Sequence, residues 1–160
     1  MRVVQSTGSV FARTTPHGFW RFSANYYLAA EVLIARIHVE GQLYFPTLQM
    51  YGVSIELALK AFLLSRGVTV AELRKIGHDL SACLALARRR KLGREVKLDV
   101  REVAAIEVLN LNYRSNRLRY IVTGATQMPQ IIYIERAAKA LVLGLEHLCT
   151  GTTGRLAHAV

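Results

Sequence analysis

The chain has 160 residues, a formal net charge of +10 and a sequence pI ≈ 10.1, and 52% of its residues are hydrophobic. That length suits one domain able to bury its own core, and the apolar content excludes an intrinsically disordered chain. The basic balance points to an anionic partner, nucleic acid first, without choosing between RNA, DNA, nucleotides and an acidic protein.

Residues 1–18 are polar, rich in Thr and Ser, and close on Pro16 and Gly18 without a sustained period, so an N-terminal arm is expected. From Phe19 to about Val39 the period turns helical, with Tyr26, Ala30, Leu33, Ile34 and Ile37 forming a stripe opposite Arg21, Asn25 and Arg36. Gly41 to Pro46 links this helix to the next, and Pro46 suits a first helical turn. The helix that follows organises the chain. Leu48, Tyr51, Ile55, Leu59 and Phe62 share one face, while Met50, Leu57, Ala61 and Leu64 share another. A helix apolar on both sides belongs in the middle of a bundle. Between the faces lie Gln49, Glu56 and Lys60, with Glu56 four residues N-terminal to Lys60 in the favourable orientation for an ion pair. Charges so placed have to be paired or open to a pocket.

After Gly67, Val70 to Ile76 has room for one or two helical turns. Gly77 then frees the backbone, and Asp79 or His78 stands near the cap of a helix over Leu80–Leu92 that turns Leu80, Leu84 and Ala87 inward. It closes on Arg88, Arg89, Arg90 and Lys91, which complement a helix C-terminus as a solvated end or form a phosphate-binding patch. Asp99 is an N-cap, with Glu102 at the capping-box position, for a helix running to about Tyr120. Val100, Ala104, Leu111 and Leu118 line one of its faces; Ile106, Leu109, Tyr113 and Tyr120 line a second. Glu107, Asn110, Arg114 and Arg117 form a polar strip between them. Two readings stay open: this strip and the Glu56/Lys60 strip converge on one cleft, or Glu107 and Arg114 form an ion-pair seam within or across subunits. Residues 121–129 read as a loop. Gln130 to Cys149 reads as a closing helix with Ile131, Ile134, Ala138, Leu141, Leu145 and Leu148 at helical spacing, and residues 150–160 read as a flexible tail.

The expected fold is therefore all-α: a single bundle of about five helices over residues 19–149. Surplus apolar content makes a homodimer the economical assembly. Cys83 and Cys149 are far apart and have no Cys or His partner at metal-ligand spacing, so they read as reduced, buried thiols of a cytoplasmic protein with no metal and no cofactor. No uninterrupted apolar run approaches the ~20 residues of a membrane span, and the N-terminus carries no apolar signal core. No membrane association is expected.

The run Glu56-Leu57, Leu59-Lys60-Ala61 and Leu63-Leu64 to Gly67, followed by His78-Asp79-Leu80, resembles the middle of HEPN-domain proteins, which are small prokaryotic-type helical domains. Tyr113 and Arg119-Tyr120 are similar to the Tyr and Arg-Tyr-Pro marks of a later helix in that family, with Ile121 in place of the proline. The resemblance spans roughly residues 20–148 and implies a HEPN-like bundle; the expected structural residues are Glu56, Asp79 and Glu107, by their ion-pair and capping positions, and Tyr113 and Tyr120, by the family marks. Many proteins of that family resemble metal-independent endoribonucleases whose motif is an Arg followed, after four to six residues, by a His. That spacing does not occur here: after Arg114, Arg117 and Arg119 no histidine follows until His147.

The chemistry is thus weighted toward binding. Lys60, His78, Arg114 and Arg117 are the candidate residues for holding RNA or a nucleotide phosphate. His78 is the candidate general base of a divergent ribonuclease, of a toxin-antitoxin or defence kind, with Arg114 or Lys60 stabilising the phosphorane. The alternative role for His78 is capping or satisfying the core where its helix begins. The third possibility, a dimeric partner subunit of a small nucleotidyltransferase, also follows from the resemblance.

Overall fold

The computed structural model describes residues 14–120, Gly124 and residues 126–151, and every regular element among them is helical. In chain order these are α1 (Pro16–Ile34), α2 (Tyr44–Ser65), α3 (Val70–Ile76), α4 (Leu80–Arg89), α5 (Val100–Tyr113), α6 (Ile131–Gly144) and α7 (Glu146–Thr150). Tight 3-10 turns occupy Gly41–Leu43 and Leu92–Arg94. The all-α bundle stands, with the short α3 and α7 added to five longer helices.

Helix α2 is the axis. It packs on α1, α4, α5, α6 and α7, and its α1 contact is the most extensive in the fold. Leu48, Tyr51, Ile55, Leu59 and Phe62 are completely buried. By length and composition the span Gly41–Ser65 could cross a membrane, with a hydropathy of 1.2, but 78% of that window is buried inside the fold. Its apolarity is used by the core.

Three expectations need correction. Helix α1 starts at Pro16, inside the stretch expected to be an arm, because Thr15 caps it by accepting the Gly18 amide at 3.0 Å and Pro16 needs no helical partner for its missing N–H; residues 1–13 of that arm lie outside the described residues. The buried face of α1 is Trp20, Ser23, Ala24, Tyr27 and Ala30, rotated from the Tyr26 stripe. The rotation brings a serine into the core at no cost in lost hydrogen bonds: Ser23 Oγ donates to the Ser54 carbonyl at 2.7 Å and Trp20 Nε1 to the Val142 carbonyl at 2.8 Å. Counting apolar residues alone misses such a face.

The second correction is the end of α5. Apolar spacing carries the helix to Tyr120, but regular helix ends at Tyr113. Asn116 adopts φ 58, and the two bonds of a Schellman motif form around it, from the Arg117 amide to the Asn112 carbonyl at 2.9 Å and from the Asn116 amide to the Tyr113 carbonyl at 3.1 Å. Val100 and Leu111 stay 81% and 55% exposed and Ala104 is exposed beside them, so of the first expected face only Leu118, beyond the end of the helix, is buried. Ile106, Leu109 and Tyr113 are buried as the second face. Third, the closing helix is two, α6 and α7, joined at the fully buried Leu145. Of the expected tail, Thr150 belongs to α7 and Gly151 caps it, and residues 152–160 lie outside the described residues. Cys83 and Cys149 are unpaired and buried, which pushes their thiols up to about 12 and about 11.

Candidate functional site

The site is assembled where α3 ends. Thr69 and Glu72 form a reciprocal capping box that starts α3, and Gly77 ends it with φ 64, a conformation that favours glycine. The turn directs the Gly77 carbonyl at α2, where Lys60 Nζ donates to it at 2.7 Å and to Glu56 Oε1 at 2.6 Å. One residue on, His78 Nδ1 lies 3.0 Å from Glu56 Oε2 and 3.1 Å from Oε1. From α5 the Tyr113 hydroxyl donates to Glu56 Oε2 at 2.6 Å. That reach depends on Gly52: a Cβ there would sit 2.6 Å from two carbons of the Tyr113 ring.

Glu56 is thereby held ionised. Burial alone would raise its pKa, but hydrogen bonds from Lys60 and Tyr113, the Lys60 charge and the His78 contact together lower it. Tyr113 is pushed the other way, by burial and by the adjacent Glu56 charge, and remains a protonated donor. Because Nδ1–H faces a carboxylate, the basic nitrogen of the neutral His78 ring is Nε2, on a side chain that is 62% exposed.

Beside this knot, Asp79 caps α4. Its Oδ1 accepts the Ala82 amide and Asn110 Nδ2, each at 2.9 Å, and Arg114 Nη1 lies 3.2 Å from Oδ2. Burial opposes ionisation of Asp79, yet the Ala82 amide, Asn110 and Arg114 hold its carboxyl below the usual value. Asn110 also accepts the Leu80 amide at 2.8 Å and donates to Ser81 Oγ at 2.9 Å, so one side chain of α5 serves three groups at the start of α4. Glu107 accepts from Ser81 Oγ. Of the alternatives, a Glu107–Arg114 pair does not form within the chain: Ser81 takes the glutamate and Asp79 takes the arginine.

In front of Glu56 opens a cleft of about 340 Å³. Phe19, Phe22 and Tyr26 of α1 supply its aromatic wall, and Glu56, His78, Tyr113 and Arg119 its polar one. A second cavity of about 330 Å³, lined by Phe45, Asn112, Arg117, Leu118, Arg119 and Tyr120, lies next to it.

Of the four residues expected to converge, only His78 reaches the first cleft. Lys60 is buried behind Glu56, Arg114 is engaged by Asp79, and Arg117 lines the second cavity because the turn at Asn116 takes it off the α5 strip. Tyr120 is 69% exposed instead of packed on the inner face of α5. The residue that sequence reasoning passed over is Arg119, present only as part of a family mark; an asparagine suited to a left-handed C-cap three positions earlier was the signal that could have found it. Among the described residues no group of three or more His, Cys, Asp or Glu side chains is placed to hold a metal ion. Compared with known family models, with curated proteins and with solved structures, the chain matches none.

Proposed function

We propose that the chain is a HEPN-like helical domain that binds RNA or nucleotide phosphates in the cleft between α1, α2 and α5. The observation that carries this reading is the pairing of Arg119 with an exposed His78 across an aromatic-walled cleft whose one carboxylate, Glu56, is already neutralised by Lys60. A phosphate entering there meets a guanidinium without facing an uncompensated anion, and the net charge of +10 favours its approach. The binding residues of the proposal are accordingly His78, Arg117 and Arg119, with Lys60 and Arg114 as positioning residues.

The test is binding of a short, labelled single-stranded RNA across a salt series. Arg119→Ala should weaken binding and flatten the log–log salt slope by ~0.7, one counterion's share for a single strand. An unchanged slope, with affinity instead lost on neutralising Arg88 to Lys91, would sink the reading.

The Glu56–His78 contact favours a second reading, phosphodiester cleavage with Nε2 of His78 as proton acceptor. Product ends carrying a 2′,3′-cyclic phosphate, lost in His78→Ala, would establish it; intact RNA after prolonged incubation would dismiss it. A homodimer belongs to the same proposal, its candidate face the exposed Val100, Ala104 and Leu111 of α5. Sedimentation as a monomer at micromolar concentration would remove that part.

A further inference from the structure

The two cavities beside α5 are separate spaces with one residue in common, Arg119. At about 330 and 340 Å³ each stands near the lower bound of ligand-sized pockets, roughly 300 Å³, with room for one nucleotide unit and not for a folded oligonucleotide. Their mouths carry aromatic rings that the fold leaves in solvent. Phe45 is 48% exposed and Tyr120 69% at the second cavity, and Phe22 is 59% exposed at the first. Among the described residues these three are the exposed large aromatic rings, while Tyr27, Tyr51 and Phe62 are completely or almost completely buried.

Phe45 is also held in place. Tyr44 meets it edge-on, with ring centroids 5.7 Å apart at 85°, and Tyr44 is itself anchored by its hydroxyl on the Pro129 carbonyl at 3.1 Å. A ring fixed in this way loses little freedom when a flat group stacks on it. Each cavity carries an exposed ring and the two share one cation, Arg119, a set that suits the alternation of base, phosphate and base along a nucleic acid strand. Bases paired inside a duplex present no free face to such rings.

We propose that the paired cavities take two consecutive nucleotides of single-stranded RNA. One base lies against Phe45 and Tyr120, the phosphate linking the two sits at Arg119, and the following nucleotide occupies the cleft at His78. Arg117, in the second cavity, faces the phosphate on the other side of the first base. This inference rests on the RNA-binding reading above and adds the length and strandedness of its ligand.

The experiment measures competition against a labelled RNA hexamer by a mononucleotide, a dinucleoside monophosphate and a trinucleotide, alongside direct binding by Phe45→Ala, Tyr120→Ala and Phe45→Leu. The dinucleoside monophosphate should gain more over the mononucleotide than the trinucleotide gains over it. Each Ala variant should bind the hexamer about 5- to 150-fold more weakly, the range for one stacked base, with the salt slope unchanged. Phe45→Leu, which keeps an apolar side chain without the flat ring, should lose nearly as much. Melting temperatures close to that of the parent chain would confirm that the variants are folded, as expected for exposed rings. If the parent chain binds RNA while both Ala variants bind within twofold of it, the two-nucleotide site is wrong and the binding reading survives. If the parent chain binds no RNA at all, both fall.

Discussion

Two tyrosine–glutamate hydrogen bonds flank α2 and differ in the charges gathered beside them. On one side Tyr113 of α5 donates to Glu56 at 2.6 Å; on the other, Tyr51 donates to Glu31 of α1, also at 2.6 Å. The first pair has Lys60 and His78 beside it, and the pKa of Glu56 falls. The second has another carboxylate near it, Glu135 of α6, whose pKa is raised by burial and then by Glu31, with Lys139 opposing in part. Tyr27 adds a second buried phenol on that side, its pKa raised by burial and by Glu31. The phenol–carboxylate bond is the same in both places. What differs is the third group, a cation beside Glu56 and a second anion, Glu135, beside Glu31.

The largest expected effect comes from removing that cation. Lys60→Met leaves Glu56 buried without its counterion and should cost about 3–5 kcal/mol in urea unfolding, with part of it recovered by adding Glu56→Gln. Were the double variant no more stable than the single, the pair would not be the unit of stability. Next is Gly52→Ala, whose new methyl would press on the Tyr113 ring; overpacking of this kind costs about 1–3 kcal/mol. It should also loosen the Tyr113–Glu56 bond, visible as a changed tyrosine fluorescence, and an unaltered spectrum with parental stability would show that the ring moves freely.

Asp79→Ala should cost about 0.5–2 kcal/mol through loss of the α4 cap. A parental melting temperature would remove the capping argument. The smallest effect belongs to the anionic side and is best read as a pH profile. Glu56 and Asp79 have lowered folded-state pKa values, so they stabilise the fold above their unfolded values of 4.5 and 3.8 and lose that contribution as pH falls through the folded ones. Glu135 has a raised pKa, so its contribution is present below 4.5 and is lost as pH rises through the folded value. Glu135→Gln should therefore leave the acid limb unchanged and remove a decline that sets in as pH rises above 4.5. A variant that instead steepens the acid limb would contradict the assignment.

How far the sequence reaches is clearest at Glu56. Its place four residues before Lys60, between two apolar faces, is arithmetic on a 3.6-residue period, and the ion pair formed as that spacing dictates. The same local physics determined α2 as the core helix, Asp79 as a cap and Asp99 with Glu102 as a capping box, since each depends on residues within one or two turns. Only the tertiary structure decided what else meets Glu56: His78 arrives from 22 residues away and Tyr113 from 57, after a glycine turn and a close helix approach. It also decided which face of α1 turns inward, that Ser81 and not Arg114 meets Glu107, and that Arg119 lies between two cavities. A helical period assigns residues to faces of one element but carries no information about the rotation of one helix against the next, and a single left-handed residue, Asn116, ends the period and redirects all that follows.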